Sequence, residues 1–242
     1  MTTVVVGASA GLGRRLAFRL AEAGHDLVLV AREARDLAAV AADLRVRFGV
    51  RVTGVAADVT DDEWLEEVAC AAANLGGVDA LLLPVGGVAA GDTPCAEPRL
   101  GELLWRLNYG AVVACVARFW PELTMRGGVV VGFGSIASVR GRDANAAYAA
   151  AKRGLATWFE SLRHLGAQVG VRVQFYVPGY IDTGQAFGLP LKLPKSNPDA
   201  FARLVVKDLG YETGVRYFPF FWRYICVALR LMPWGIYRRL RF

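Results

Sequence analysis

The feature that most constrains the fold is an alternation of short apolar runs with longer segments of helical periodicity. The apolar runs lie at residues 3–6, 27–30, 52–55, 80–83, 129–133 and 171–177, and the helical segments at 12–23, 33–48, 62–75, 100–123 and 146–165. Unbroken apolar strands separated by helices are typical of a parallel sheet that is covered on both faces. The pattern therefore predicts an α/β fold with a doubly wound parallel sheet.

Length and composition favour one globular domain. The chain has 242 residues, of which 55% are hydrophobic and 21% charged, and no repeat or linker interrupts the alternation. We predict one domain over residues 1–215 and a C-terminal extension over residues 216–242 that is not a separate domain. The N-terminal sequence MTTVVVGASAG enters the first apolar run without a basic or long apolar leader, which predicts a cytoplasmic protein.

Neither the charge nor the cysteines indicate a nucleic-acid-binding or metal-binding protein. The net charge is +6, but residues 1–200 hold twenty basic and twenty acidic side chains, whereas residues 201–242 hold eight basic and two acidic ones. A basic groove for nucleic acid is therefore not expected. The four cysteines are scattered and the chain has two histidines, so neither a metal site nor a disulfide framework is expected.

A glycine-rich turn follows the first apolar run. Glycine allows a tight turn and a close backbone approach to a ligand, and the N-terminus of the next helix offers unpaired N–H groups to a pyrophosphate. The spacing is GxxxGxG rather than the better-known GxGxxG, and an ordinary strand-to-helix turn is the alternative interpretation. The candidate nucleotide contacts in this turn are Gly7, Ser9, Ala10, Gly11, Leu12 and Gly13.

A second candidate site is the stretch from residue 134 to 152. Tyr148 and Lys152 are four residues apart, so on a helix they share one face, and an adjacent cation lowers the pKa of a phenol. A tyrosine tuned in this way can act as a general acid or base. Ser135, at the end of the preceding apolar run, can hydrogen-bond the same substrate oxygen. The three residues indicate carbonyl and alcohol chemistry, although a solvated Tyr–Lys pair is the alternative.

The combination of GxxxGxG, Ser135 and Tyr148-x-x-x-Lys152 resembles the short-chain dehydrogenase/reductase superfamily, over roughly residues 3–190. The resemblance implies a Rossmann-type fold and direct hydride transfer between a nicotinamide and a substrate carbon, without a metal. It implies that Tyr148 protonates the carbonyl oxygen and that Ser135 orients this oxygen. Lys152 would lower the pKa of the tyrosine and hold the nicotinamide ribose.

Shorter motifs extend the resemblance. Asp58 and Val59 match the position that contacts adenine, and Asn108 matches the asparagine that supports a water relay to the lysine. The PGxIxT segment expected along the nicotinamide carboxamide is Pro178, Gly179, Ile181 and Thr183. The family's NNAG sequence is replaced by Leu83, Pro84, Val85 and Gly86, so Gly86 is kept and the asparagine side chains are lost. Nucleotide contacts at that position are expected to use backbone groups.

The end of the second apolar run predicts the cofactor. A carboxylate at this position would bind the ribose hydroxyls of NAD, whereas an arginine can pair with the 2′-phosphate of NADP. The residue is Arg32, with Arg35 nearby, which predicts NADP(H). The alternative is that Arg32 is a solvated residue at the start of a helix.

The C-terminal extension bears on the substrate and partners. From Arg216 onward the chain contains six arginines and no acidic residue, and its apolar runs are too short to span a bilayer. This basic aromatic segment is expected either to lie peripherally on a membrane or to pack on the domain and close the pocket. Its pattern also resembles reductases of decaprenylphosphoryl keto-sugars, which implies a lipid-linked ketone or alcohol as substrate.

Three functions remain open from the sequence. The first is an NADP(H)-dependent reductase of a keto-sugar or lipid-linked ketone at the inner membrane surface. The second is a soluble biosynthetic ketoreductase that acts on a small molecule and whose extension builds the pocket and the oligomer. The third is a non-catalytic nucleotide-binding scaffold. A homodimer or homotetramer is expected, and residues 184–199, with Gln185, Phe187 and Leu189, are expected to border the substrate pocket.

Overall fold

One parallel sheet forms the centre of the protein in a computed structural model that describes residues 1–183 and 194–239. The strands within these residues are β1 (Thr2–Val6), β2 (Asp26–Ala31), β3 (Val52–Ala56), β4 (Ala80–Leu83), β5 (Val129–Phe133), β6 (Arg172–Pro178) and β7 (Val215–Phe218). They are arranged in the order β3-β2-β1-β4-β5-β6-β7, and every neighbouring pair is parallel. The predicted doubly wound, Rossmann-type α/β fold is confirmed.

Helices cover both faces of this sheet. They are α1 (Gly11–Glu22), α2 (Ala34–Phe48), α3 (Trp64–Asn74), α4 (Pro98–Trp105), α5 (Ala111–Arg126), α6 (Ala146–Val169), α7 (Pro198–Asp208), α8 (Trp222–Leu231) and α9 (Trp234–Tyr237) among the described residues. Successive residues of β1 enter different cores, Val4 and Val6 on one face and Val5 on the other. All five residues of β1 are buried, which explains why this strand is apolar throughout instead of alternating.

The order of the strands places a crevice beside β1. Val5 of β1 pairs with Leu29 of β2 on one side and with Leu82 of β4 on the other. The connections leave β1 and β4 in opposite directions, and in such sheets ligands bind at the carboxyl ends of the two strands. Gly7 lies at this position, and a Cβ there would be only 3.2 Å from the Cα of Val85, which follows β4. The glycine turn therefore forms one wall of the crevice.

The predicted helix over residues 100–123 is longer and less regular than expected. It begins at Pro98 and contains a π-helical segment, Arg106–Gly110, between α4 and α5. Asn108 explains the irregularity, because its side-chain amide donates to the Leu104 carbonyl at 2.9 Å and takes an acceptor that the backbone would otherwise use. Periodicity of apolar residues does not report such a local change.

The boundary predicted between residues 215 and 216 falls inside β7. This strand pairs with β6 from Val215 to Phe218, so the first residues of the predicted extension belong to the sheet. The strand is only partly buried, and a short half-exposed run gives a weak sequence signal. Beyond it lie α8 and α9. No helix in residues 1–183 and 194–239 is long and apolar enough to cross a membrane.

Candidate active site

The glycine-rich turn packs the backbone of Gly7 against the start of α1. A Cβ at Gly13 would lie 1.9 Å from the Gly7 carbonyl oxygen, so no larger residue fits there. Gly7 and Gly11 have φ values of +94° and +52°, which glycine adopts without strain. Within the described residues no side chain caps the N-terminus of α1. Its first N–H groups can therefore receive the pyrophosphate of a dinucleotide.

The other predicted positions of this turn are accessible to a ligand. Ala10 is exposed, and Ser9 and Leu12 are partly exposed. Thr183 closes the turn from the opposite side, since its methyl carbon would be 3.5 Å from a Cβ at Gly11. The structure thus brings residues separated by more than 170 positions in the sequence to one end of the crevice.

Arg32 and Asp58 lie next to each other at the ends of β2 and β3. Arg32 Nη1 and Asp58 Oδ2 are 3.9 Å apart, and 70% of the Arg32 side chain is exposed. Asp58 Oδ1 also accepts hydrogen bonds from the Thr60 backbone N–H at 2.9 Å and the Thr60 hydroxyl at 2.7 Å. The Thr60 backbone bond is the main reason why the pKa of Asp58 is lowered, and Arg32 contributes. Val59, the other predicted adenine contact, is buried.

Lys152 is buried on α6 and directed at two backbone carbonyls. Its side chain is 4% exposed, and Nζ donates to the carbonyl oxygens of Val85 and Phe133, both at 3.2 Å. These carbonyls follow β4 and end β5, so the ammonium lies between the two strand ends. Burial lowers the pKa of Lys152 to about 8. An ammonium has three N–H groups, so one remains for a polar ligand in the crevice.

The Ser135 side chain contacts Tyr148, but the pKa of the tyrosine is raised, whereas the sequence predicted that it would be lowered. Burial raises the pKa of Tyr148, while the Ser135 side chain and the positive charge of Arg142 oppose this rise. Lys152 was expected to lower the pKa, yet its ammonium is bound to backbone carbonyls and burial of the phenol dominates. Ser135 is itself held in place, since its hydroxyl accepts from the Ala137 N–H at 3.1 Å.

Asn108 is fully buried and its side chain is fully engaged. Oδ1 accepts from the Gly87 N–H at 3.1 Å, and Nδ2 donates to the carbonyls of Gly87 and Leu104, both at 2.9 Å. A Cβ at Gly86 would lie 2.6 Å from Asn108 Oδ1 and 3.0 Å from Lys152 Nζ. The asparagine therefore lies beside the lysine, and Gly86 is the residue that allows both to approach the loop after β4.

The Pro178–Thr183 segment leaves the end of β6 under the cover of α8. The Gly179 N–H donates to the Phe218 carbonyl at 2.8 Å. A Cβ at Gly179 would collide with the Trp222 indole nitrogen at 1.9 Å, so only glycine fits against this ring. Ile181 forms a β-bridge with Ser196. The predicted pocket residues Gln185, Phe187 and Leu189 lie outside the described residues.

The extension is docked on the loop between Ser135 and Tyr148. The Arg140 guanidinium lies 4.1 Å from the centre of the Tyr237 ring and donates to the carbonyls of Leu229, at 2.9 Å, and Met232. The Tyr237 hydroxyl donates to the Gly141 carbonyl at 2.9 Å. Arginine at the last carbonyls of α8 also complements the helix dipole. The extension therefore covers the loop that joins Ser135 to Tyr148.

The sequence-based prediction did not include several residues that lie near the site. Arg142 acts on the Tyr148 phenol, Trp222 covers Gly179, and Arg140 holds the extension. Asp92, from the loop after β4, contacts the first turn of α6. No local motif marks any of them, and the partners of Asp92, Trp222 and Arg140 are distant in the sequence. A partial signal existed for the arginines, which lie in the stretch between Ser135 and Tyr148.

These observations define a class of protein. A glycine-rich turn lies at the switch point of a parallel sheet, and a serine, a tyrosine and a buried lysine lie at neighbouring strand ends. This is the arrangement of a dinucleotide-dependent oxidoreductase.

Comparisons with known proteins identify the family. Residues 1–189 match the family model described as short chain dehydrogenase. The 1-deoxy-11-beta-hydroxypentalenate dehydrogenase of Streptomyces exfoliatus is 34% identical over 191 residues, covering 77% of this chain and 69% of that protein. An uncharacterized oxidoreductase of Mycobacterium tuberculosis is 30% identical over 241 residues, covering 98% of this chain and 96% of that protein.

A solved structure agrees with them. The short-chain dehydrogenase from Sphingobium yanoikuyae in complex with NADPH superposes with a TM-score of 0.83 at 27% identity, covering 99% of this chain and 96% of that one. The chain belongs to the short-chain dehydrogenase/reductase family. It is an oxidoreductase that acts on CH–OH and C=O groups.

Proposed function

We propose that this protein interconverts a ketone and a secondary alcohol, with Ser135, Tyr148, Lys152 and Asn108 as its catalytic group and NADP(H) as its cofactor. The observation that carries the proposal is the meeting of Tyr148, Ser135 and the buried Lys152 beside the glycine-rich turn. Bound NADPH supplies a hydride from its nicotinamide ring. Tyr148 donates its proton to the substrate oxygen as the new C–H bond forms, so the ketone becomes an alcohol.

The site residues divide this work. A raised pKa keeps the Tyr148 phenol protonated near neutral pH, which suits a proton donor in the direction of reduction. Ser135 orients the substrate oxygen. Lys152 holds the ribose through its N–H groups, and Asn108 keeps the loop after β4 in position beside the lysine and supports the return of a proton to Tyr148.

The cofactor is NADP(H). Arg32 presents an exposed guanidinium at the end of β2, where the adenosine ribose lies in dinucleotide-binding sheets. Its partner Asp58 is 3.9 Å away, a weak contact that leaves donors for a 2′-phosphate. The NADPH complex of the Sphingobium yanoikuyae relative agrees with this choice.

The catalytic assignment is tested by Tyr148→Phe. NADPH oxidation is measured with a panel of small ketones, and the variant should lose about 10²- to 10⁴-fold in turnover because general acid catalysis is removed. Its affinity for NADPH, measured by fluorescence titration, should stay within about threefold. Retention of most of the activity by the variant would refute the role of Tyr148.

For the substrate, we propose a keto-sugar or lipid-linked ketone that carries a negative charge. Arg142 supports this, because its Nε is buried and has no hydrogen-bond partner among the described residues. A buried N–H group without an acceptor is costly, and a phosphate or carboxylate of the substrate would supply that acceptor together with a counter-charge.

The extension supports contact with a membrane surface. The face of α8 opposite its buried residues Trp222 and Cys226 is apolar and exposed. This exposed stripe comprises Phe220 (75% exposed), Tyr224 (67%), Val227 (51%) and Leu231 (78%), and continues into Trp234 (64%) and Ile236 (55%). Arg223 and Arg230 flank it, and no acidic residue follows Arg216. A docked helix with a second apolar face, aromatic residues and arginines suits an anionic lipid surface.

Liposome sedimentation tests this surface. Wild-type protein should bind vesicles that contain anionic lipid more strongly than neutral vesicles, and a Leu231→Glu variant should lose binding while keeping its NADPH oxidation with soluble ketones.

The docking of the extension on the loop that contains Arg140 favours the second candidate, a soluble biosynthetic enzyme whose extension only builds the pocket. Absence of vesicle binding together with turnover of small neutral ketones would decide for that candidate, and a stripe covered by a second copy would appear as a dimer that Leu231→Glu dissociates.

A further inference from the structure

The N-terminus of α6 has an unusual cap. Helices expose unpaired N–H groups in their first turn, and the residue before the helix usually accepts one of them with its side chain. Here that residue is Asn145, which has a φ of +55° and makes no side-chain capping hydrogen bond. The helix that carries Tyr148 and Lys152 therefore does not cap itself.

Asp92 supplies the cap from the loop that follows β4. Its Oδ1 accepts from the Ala147 N–H at 2.8 Å and its Oδ2 from the Tyr148 N–H at 3.0 Å. Its backbone carbonyl accepts from the Ala146 N–H at 3.4 Å. Three consecutive amides of the first turn, the last of them belonging to Tyr148, are thus directed at one residue.

Asp92 is buried, so its carboxylate depends on these hydrogen bonds. The side chain is 3% exposed and forms no salt bridge with any of the described residues. A buried carboxylate is costly unless its oxygens are hydrogen-bonded, and here each oxygen takes one amide while the positive end of the helix dipole supplies the opposite charge. Asparagine would offer one acceptor oxygen to these two amides, and alanine would offer none.

The same loop also contacts α6 one turn further on. It contains Val85, whose carbonyl accepts from Lys152 Nζ at 3.2 Å. The loop after β4 therefore holds the catalytic helix at the amide of Tyr148 and at the ammonium of Lys152. Since this loop forms one side of the cofactor crevice, it fixes the helix relative to the crevice.

We propose that Asp92 is a positioning residue. It sets the position and orientation of the Tyr148 phenol, because its hydrogen bonds hold the first turn of α6 against the loop after β4. This rests on the proposed role of Tyr148 in proton transfer. A displacement of about 1 Å at a reacting group can cost about 10²-fold in rate. Loss of Asp92 should therefore slow the chemical step and leave the nucleotide site, at the other end of the crevice, largely unaffected.

The test compares Asp92→Ala and Asp92→Asn with Asp143→Asn. Asp143 is a matched control, since it is exposed, lies two residues before Asn145, and makes no hydrogen bond or ion pair with the described residues. NADPH oxidation is measured with the ketone of the panel that the wild type reduces fastest, and active sites are counted by NADPH titration. We expect turnover per NADPH site to fall about 10- to 100-fold in Asp92→Ala and less in Asp92→Asn. Asp143→Asn should resemble the wild type.

Two further measurements separate positioning from a loss of stability. With NADPH deuterated at the transferred hydrogen, the isotope effect on turnover should be at least as large in Asp92→Ala as in the wild type, because the chemical step becomes slower. Hydrogen exchange of the Ala147 and Tyr148 amides should accelerate, and this readout requires no substrate. Wild-type turnover per NADPH site, or unchanged exchange of both amides, would overturn the proposal. An active Tyr148→Phe enzyme would instead refute the proposed function.

Discussion

Replacing Lys152 with methionine is expected to abolish turnover and yet make the protein more stable near neutral pH. Burial lowers the pKa of Lys152 from 10.5 to about 8. Each pKa unit corresponds to about 1.4 kcal/mol, so the buried ammonium costs the folded state about 3 kcal/mol below pH 8. Methionine fills a similar volume without charge. The two hydrogen bonds from Nζ are lost in the variant, which offsets about 1 kcal/mol each, so Lys152→Met should be more stable than the wild type by about 1 kcal/mol near pH 7.

The pH dependence isolates the charge from these packing effects. Below pH 8 the lysine is protonated in both the folded and the unfolded state, and the cost is fully present. Between pH 8 and 10.5 the unfolded state binds more protons than the folded state, so the wild type gains stability relative to the variant as the pH rises. Across this range the unfolding free energy of the wild type should therefore rise by about 3 kcal/mol relative to that of Lys152→Met, which reverses the order of their stabilities. Buried tyrosines titrate in both proteins and cancel in the difference.

Urea unfolding of the protein without cofactor, at half-unit steps from pH 7 to pH 10.5, measures this difference. Lys207→Met is the control, because Lys207 is exposed on α7 and the same substitution there removes no buried ammonium. Parallel stability curves for Lys152→Met and wild type would refute the argument that burial of the ammonium destabilises the folded protein. A Lys152→Met enzyme with near wild-type turnover would refute the catalytic role of the lysine.

Two other substitutions test the cofactor site and the docking of the extension. Arg32→Gln should lower kcat/KM for NADPH about 10- to 100-fold, because a charge-assisted hydrogen bond to a phosphate is worth about 1.5–3 kcal/mol. The same substitution should leave kcat/KM for NADH nearly unchanged. An equal loss with both cofactors would contradict a contact between Arg32 and the 2′-phosphate. Arg140→Ala should destabilise the docked extension by about 2–4 kcal/mol through loss of the cation–π contact and of the hydrogen bonds to Leu229 and Met232. Limited proteolysis should then cleave residues 222–239 faster, with Tyr237→Phe, which removes only the hydroxyl bonded to Gly141, as the milder comparison. Equal cleavage rates in Arg140→Ala and wild type would show that the contacts of Arg140 do not hold the extension in place.

Local geometry explains how much of the site could be predicted from the sequence. The glycine turn and the Tyr148–Lys152 pair depend on backbone spacing over a few residues, so their residue types and positions carry the signal directly. Arg32 directly follows the second apolar run, and the end of that run marks the end of the strand. The sequence correctly predicted a helix over residues 100–123 but did not predict the π-helical segment at Asn108. That irregularity depends on a side chain that competes with the backbone for a carbonyl acceptor.

The sequence by itself determined the parallel sheet, the turn that suits a dinucleotide, and the residue types of the proposed catalytic face. Only the tertiary structure decided the environment of that face: the carboxylate of Asp92 on the first turn of α6, the ring of Trp222 against Gly179, and a pKa of Tyr148 that rises instead of falling. The physical reason is that backbone periodicity is a property of neighbours in the chain. Burial, capping and charge neutralisation depend on which distant segments exclude water from a group.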